Sequence, residues 1–310
     1  MHYRFATAMA PASVGNVAVG FDLLGHALNA PGDQVTLRRD KRRGVRIASI
    51  TGNVHELPLD SASNTASRAV GALLEATGID IGIEVHIRKG IPLASGLGGS
   101  AASAVAAVVA AAELLALDWP RERLYPFALA GEAVASGAAH GDNVGCQLLG
   151  GLVLATRDRL VSIPVPENLT AVAVHPDYQV NTRDARRCLA EPFELATVVG
   201  QSANLAQVLA GCYRSDFDLI RSGLRDVMIE PRRAGLIPAF SEVQQAALDH
   251  DALGASISGA GPTVFGWFSD VGQAESAGRD MVAAFAGAGL KADAFVSPVA
   301  APGAHVTERG

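Results

Sequence analysis

The sequence predicts an α+β fold built as two halves. Strand-like and helical stretches mix along the chain without strict alternation, which disfavours a doubly wound parallel sheet. Pro164-Val165-Pro166, between strand-like runs at 152–155 and 171–175, reads as a hinge and divides the 310 residues into 1–167 and 168–310. The strongest local feature of the first half is a glycine-rich loop at 91–100 that joins a strand to a small-residue helix.

Each element follows from its own pattern. Residues 34–38 and 45–50 are short strands, and the basic run between them, Arg38 to Arg43, reads as a solvated hairpin tip. Residues 63–78 have helical periodicity (Ala66, Ala69, Val70, Leu73, Leu74) and stop at a glycine. Residues 79–88 alternate as a strand, with Ile81, Ile83, Val85 and Ile87 on one face. A helix of small residues over 101–117 follows the glycine loop, and a second helix spans 121–136. After the hinge come helices at 198–213 and 217–228, a strand–turn–strand at 256–268, a helix over 274–288 and a last strand.

Composition narrows the function classes. Apolar residues make up 49% of the chain and charged ones 18%, enough for a sizeable core and too ordered a mixture for wholesale disorder. Acidic residues outnumber basic ones 31 to 25, a net charge of −6, which argues against a partner with a phosphate backbone. Cys146, Cys188 and Cys212 lie far apart, a set that suits neither a disulfide framework nor a zinc site and points to a reducing cytoplasm. The first 20 residues lack the apolar core of a secretory signal. The longest uncharged stretch, 90–112, carries Pro92, three glycines after it and three serines, so it reads as loop plus buried helix rather than a membrane span.

The loop Pro92-Leu93-Ala94-Ser95-Gly96-Leu97-Gly98-Gly99-Ser100-Ala101-Ala102 carries the chemistry. Glycines let a backbone approach a ligand closely, and a helix start offers unpaired N–H groups at the positive end of its dipole. Such a site takes anions, phosphate above all. Three familiar templates fail here. A nucleotide P-loop needs a lysine after its last glycine, and none stands there. A dinucleotide fold needs a strand after the helix, but a second helix follows. A hydrolase elbow, G-x-S-x-G, is missed at its last position by Ala102.

The loop resembles the P-x-x-x-G-L-G-S-S-A-A phosphate loop of the GHMP small-molecule kinases, with Gly99 in place of the first serine. Two further segments agree. Residues 11–25, Pro11 to Gly25, look like the opening of the homoserine kinase branch. Ser258-Gly259-Ala260-Gly261-Pro262 resembles the family's third motif, a glycine turn beside the phosphate loop. The resemblance implies the two-domain GHMP kinase fold with its active site in the cleft between the halves. It also implies ATP and Mg2+ as cofactors, L-homoserine as substrate, and a homodimer without nucleic-acid or membrane partners.

Roles follow residue by residue. The loop 92–102 would hold the triphosphate, with Asn64 and Lys89 as further nucleotide contacts. Glu132, a carboxylate on a largely apolar helix, would bind magnesium together with Ser100, a sparse set that suits a cation which also takes phosphate and water ligands. A substrate bearing a carboxylate calls for forked guanidinium groups. Two Arg-Arg pairs after the hinge, Arg186-Arg187 and Arg232-Arg233, offer them, and the family registers T-x-x-A-R and E-P-x-R select Arg186 and Arg233. Asp22 would meet the ammonium, Thr182 would touch the substrate, and Asn16, His140 and Asn143 would surround the reacting hydroxyl. The segment His140-Gly141-Asp142-Asn143 then supplies the catalytic candidates. One reading has direct attack without a strong base, the other has Asp142 as base. Another GHMP-type kinase acting on a mevalonate-like alcohol, and a non-catalytic ligand sensor, are the competing functions.

Overall fold

The computed structural model describes residues 3–53, 57–137, 140–180 and 182–310; the side chains of Ser136, Thr182, Arg183 and Asp184 fall outside it. Among the described residues the chain forms two mainly antiparallel sheets with helices on them. The first is built from β1 (Phe5–Gly15), β2 (Leu24–Asp40), β3 (Gly44–Gly52) and β4 (Gly82–Lys89). Its helices are α1 (Thr65–Thr77), α2 (Gly99–Leu114), α3 (Tyr125–Ser136) and α4 (Gly141–Leu149), followed by the hairpin β5 (Leu152–Ala155) and β6 (Leu160–Ile163).

The second half begins with β7 (Thr170–Pro176), α5 (Thr182–Arg187), α6 (Leu195–Arg214), α7 (Phe217–Gly223), α8 (Glu230–Arg233) and α9 (Phe240–Asp249). It ends with β8 (Gly254–Ile257), β9 (Val264–Phe268), α10 (Val271–Gly287), β10 (Ala292–Pro298) and β11 (His305–Arg309). The sheet orders are β11-β1-β2-β4-β3, with β5 on the start of β2 and β6 on β5, and β10-β7-β9-β8. The connection proposed as a hinge links β6 of the first sheet to β7 of the second, and β11 later returns to the first sheet beside β1.

Local chemistry accounts for the elements around the cleft. Ala6, Ala8, Ala10, Ala12 and Val14 alternate along β1 and are all fully buried, so α2 can lie close across β1 and β2. Residues Ala101 to Ala112 of α2 are buried on every side, as expected for a helix apolar all round. Asn64 caps α1, and Gly78 closes it in the left-handed conformation at φ 66°. The two sheets meet at His26 of β2 and Trp267 of β9, where the indole N–H donates to the imidazole Nε2 at 3.1 Å.

Several sequence expectations change. β2 and β3 are not a hairpin: β4 lies between them, antiparallel to β2 and parallel to β3, because its buried Ile83, Val85 and Ile87 belong mid-sheet. The basic tip is nonetheless solvated, with Arg42 and Arg43 exposed. The helix expected at 217–228 ends at Gly223, and beyond it the Asp226 carboxylate organises a turn leading into α8 by accepting the N–H groups of Met228, Ile229 and Glu230. The helix expected at 101–117 starts at Gly99 and stops at Leu114. The single last strand is two, β10 and β11.

Candidate active site

The glycine-rich loop runs from β4 into α2 and turns on positive-φ residues, Gly96 at 78° and Gly98 at 68°. At both, the surroundings leave no room for a side chain. A Cβ on Gly96 would stand 2.5 Å from the Ser258 carbonyl oxygen, and one on Gly98 would stand 2.4 Å from the Ser13 hydroxyl. Among the described residues, nothing accepts a hydrogen bond from the N–H groups of Gly98, Gly99, Ser100 and Ala101. Four unpaired donors at a helix start are an anion site. Gly98, Gly99 and Ser100 border a cavity of about 270 Å³ lined also by Ser95, Glu132 and Ala260.

The turn at 258–262 closes this loop from the second half. The Ser258 hydroxyl donates to the Gly96 carbonyl at 2.7 Å, and the Thr263 hydroxyl donates to the Ser95 carbonyl at 2.6 Å. From behind, the Lys89 ammonium is almost wholly buried and donates to the Asp33 carboxylate, to the Gly99 carbonyl (2.6 Å) and to Ser103 (2.9 Å). Lys89 therefore grips the loop's backbone from behind, through the Gly99 carbonyl. Asn64 is likewise committed inside the fold. Its Oδ1 accepts the N–H groups of Ala66 and Ser67, and its amide donates to the Pro58 carbonyl, the geometry of a helix cap.

The side chains of Leu97, Ala101 and Ala102 point into the core, so only their backbone belongs to the loop's surface. The Ala102 N–H is already bound to the Gly98 carbonyl.

Glu132 of α3 lines the cavity and is hydrogen-bonded to Ser100. Burial pushes its carboxyl up to about 7, the Ser100 hydrogen bond only partly offsetting that. A buried carboxylate and a hydroxyl, both hard oxygen donors beside free phosphate-binding amides, fit a magnesium ion that keeps most of its ligands from phosphate and water.

Beyond the loop, the opening segment bends through Asn16, Val17 and Ala18, all at positive φ. The Asn16 amide donates to the Gly259 carbonyl at 2.8 Å, and its Oδ1 accepts the Asp22 N–H at 2.9 Å. Arg233, buried on α8, donates to the same Gly259 carbonyl at 3.1 Å and to Ala185 at 3.1 Å, and lies 5.2 Å from the Phe21 ring centre. His140 bridges the charges. Its Nδ1 stands 3.0 Å from the Asp22 carboxylate, and its Nε2 accepts from Arg186. The Asp22 hydrogen bond raises the imidazole above its ordinary range.

Asp142 is buried beneath Gly15. Its Oδ2 accepts the Asn16 N–H at 3.2 Å, and burial pushes its carboxyl up to about 6, with the Asp22 charge adding to that. Asn143 is half-buried beside it. One cleft thus gathers Asn16, Asp22, His140, Asp142, Asn143, Arg186 and Arg233; the Thr182 side chain lies outside the described residues. Asp33, Ser103, Ser13 and Gln147 escaped the sequence reading. Asp33 left a signal, an aspartate on the face of β2 that carries buried Val35 and Leu37. Gln147 lies one helical turn after Asn143 on α4, a spacing that only the helix makes meaningful.

The chain is similar to known proteins over nearly its whole length. The model for the GHMP kinases N terminal domain matches residues 64–151, and that for GHMP kinases C terminal matches 208–287. A homoserine kinase of Xylella fastidiosa (strain M12) is 55% identical over 301 residues, covering 97% of this chain and 94% of that protein. A homoserine kinase of Chlorobaculum tepidum is 43% identical over 318 residues, covering 98% of each. The crystal structure of homoserine kinase from Cytophaga hutchinsonii is similar with a TM-score of 0.95 and 43% identity, over 98% of each chain.

Proposed function

The chain belongs to the GHMP kinase family, and on that premise we propose that it is a homoserine kinase: the γ-phosphoryl group of ATP passes to the side-chain hydroxyl of L-homoserine, giving O-phospho-L-homoserine and ADP. The observation that carries this reading is the cleft's pairing of four unengaged amides with a zwitterion pocket. Anion donors at Gly98–Ala101 stand in the same cleft as one carboxylate, Asp22, and two guanidinium groups, Arg186 and Arg233. Arg186 and Arg233 would grip the α-carboxylate and Asp22 the α-ammonium. Mevalonate has no ammonium for Asp22 to meet, so an amino-acid substrate suits the charge pattern better.

Phosphoryl transfer asks little covalent chemistry of the protein, so placement and charge carry most of the rate. The loop amides and the α2 N-terminus would neutralise the triphosphate oxygens. Glu132 and Ser100 would hold Mg2+, which supplies countercharge to phosphate when bound. The substrate hydroxyl would attack directly, without a strong side-chain base. Asp142 is held by the Asn16 N–H and is almost wholly buried, which suits a role in shaping the 15–16 bend.

ADP release across L-homoserine, mevalonate and other small alcohols, with and without Mg2+, tests the reading. Homoserine-dependent, Mg2+-dependent release is expected. Release with mevalonate alone, or binding of both ligands with no release, would overturn it. Asp142→Asn separates the two chemical readings: loss of turnover by several orders of magnitude with homoserine affinity intact would establish Asp142 as base.

A further inference from the structure

A buried hydrogen-bond chain runs from the phosphate loop to Asn143. The Gln147 amide, wholly buried, donates to the Gly98 carbonyl at 2.9 Å and to the Ser13 hydroxyl at 2.9 Å. Ser13 in turn donates to Asn143 Oδ1 at 2.8 Å, and its own N–H donates to the Leu97 carbonyl at 3.1 Å. The polarity is fixed at the loop end and carried along the chain to Asn143. A carbonyl only accepts, so the Gln147 atom at Gly98 must be its nitrogen. The second hydrogen of that nitrogen occupies a lone pair of the Ser13 oxygen, which leaves the Ser13 proton for Asn143. Were the Asn143 amide flipped, that proton would give up an amide oxygen for the nearby sulfur of Cys146, a weak acceptor.

We propose that Gln147 and Ser13 are positioning residues that fix the Asn143 amide with its nitrogen, not its oxygen, presented to the reacting hydroxyl, and tie that orientation to the phosphate loop. Asn143 then acts as a donor. Its Oδ1 faces Ser13, and an amide oxygen is far too weak a base to take the substrate's proton. The coupling is tight because the parts touch: a Cβ on Gly98 would meet the Ser13 oxygen at 2.4 Å, the Gln147 nitrogen at 2.7 Å and Asn143 Oδ1 at 2.8 Å. The cleft's phosphate side and its acceptor side therefore share one set of hydrogen bonds. Gln147 itself approaches neither substrate, since its side chain is wholly enclosed.

This inference rests on the kinase reading, and the test keeps the two apart. Ser13→Ala and Gln147→Met are each made in the wild type and in Asn143→Ala, with folding checked by thermal melting and nucleotide affinity by calorimetry. In the wild type each should lower kcat about tenfold, the scale of one oriented hydrogen bond, with homoserine KM nearly unchanged. In Asn143→Ala neither should lower kcat further, because the group they orient is gone. Multiplicative losses in both backgrounds would overturn the relay and leave the kinase reading standing. Absence of homoserine-dependent turnover in the wild type would overturn the kinase reading itself. If Gln147→Met fails to fold, the Ser13→Ala cycle alone decides, since it removes one hydroxyl.

Discussion

Replacing Lys89 by methionine removes a buried cation while keeping most of its volume. Lys89 and Asp33 expose only 2% and 0% of their side chains, so the Asp33 carboxylate would be left enclosed without its countercharge. Breaking a buried pair by deleting one partner costs about 3–5 kcal/mol. Asp33 would keep its hydrogen bonds from the Gly90 N–H (3.0 Å), the Ile91 N–H (3.1 Å) and the Ser103 hydroxyl (2.7 Å). Those surviving donors place the expected loss near the lower end, about 3 kcal/mol. The Gly99 carbonyl also loses its ammonium donor, so the loop should loosen and the KM for ATP rise about tenfold, while the KM for homoserine stays put. Urea unfolding and initial-rate kinetics measure both effects. Adding Asp33→Asn should recover part of the stability, since no buried charge remains. A stability loss under about 1 kcal/mol, with ATP KM unchanged, would refute the idea that this pair holds the loop.

Other consequences follow from the same geometry. His26 is fully buried and burial pushes it down to about 4, so unfolded chains bind its proton first. Its contribution is complete above pH 6.5 and is lost as pH falls towards 4, a loss of about 3 kcal/mol that His26→Gln should remove from the acid limb of the unfolding curve. Glu132, raised to about 7, destabilises the metal-free protein as pH climbs from 4.5 through 7. Glu132→Gln should therefore stabilise the metal-free protein at pH 8 by about 3 kcal/mol while lowering Mg2+-dependent turnover; an unchanged unfolding midpoint would contradict this. Positions 98 and 99 should differ sharply. Gly98→Ala meets a positive φ and three close polar atoms, and should lower kcat/KM for ATP by at least about tenfold. At position 99 an added Cβ would stand 3.2 Å from the Ile91 methyl and 3.6 Å from the Lys89 ammonium, so Gly99→Ser should keep turnover within about threefold.

The phosphate loop was legible because its chemistry is local: strand, glycines and helix start lie within a few residues of one another. The convergence of Asp22, His140, Arg186 and Arg233 was expected only from family registers, since they come from four separate elements. β1 escaped because alanines carry its alternation, and alanine is a weak strand signal although here the row is fully buried. The insertion of β4 between β2 and β3 escaped because strand order depends on pairing across some 40 residues. Lys89 was noticed, but its buried partner was not. Its sequence position before the loop says nothing of Asp33, which approaches from β2 and draws the ammonium inward.

The central claim is that unpaired main-chain amides at the start of α2 hold the nucleotide's phosphates. Titrating the isotopically labelled protein with a non-hydrolysable ATP analogue, and following the backbone amide resonances of Gly98, Gly99, Ser100 and Ala101, tests it most directly. Downfield shifts of all four that saturate together are the expected result. Nucleotide binding that leaves those four resonances in place, while residues elsewhere respond, would contradict it.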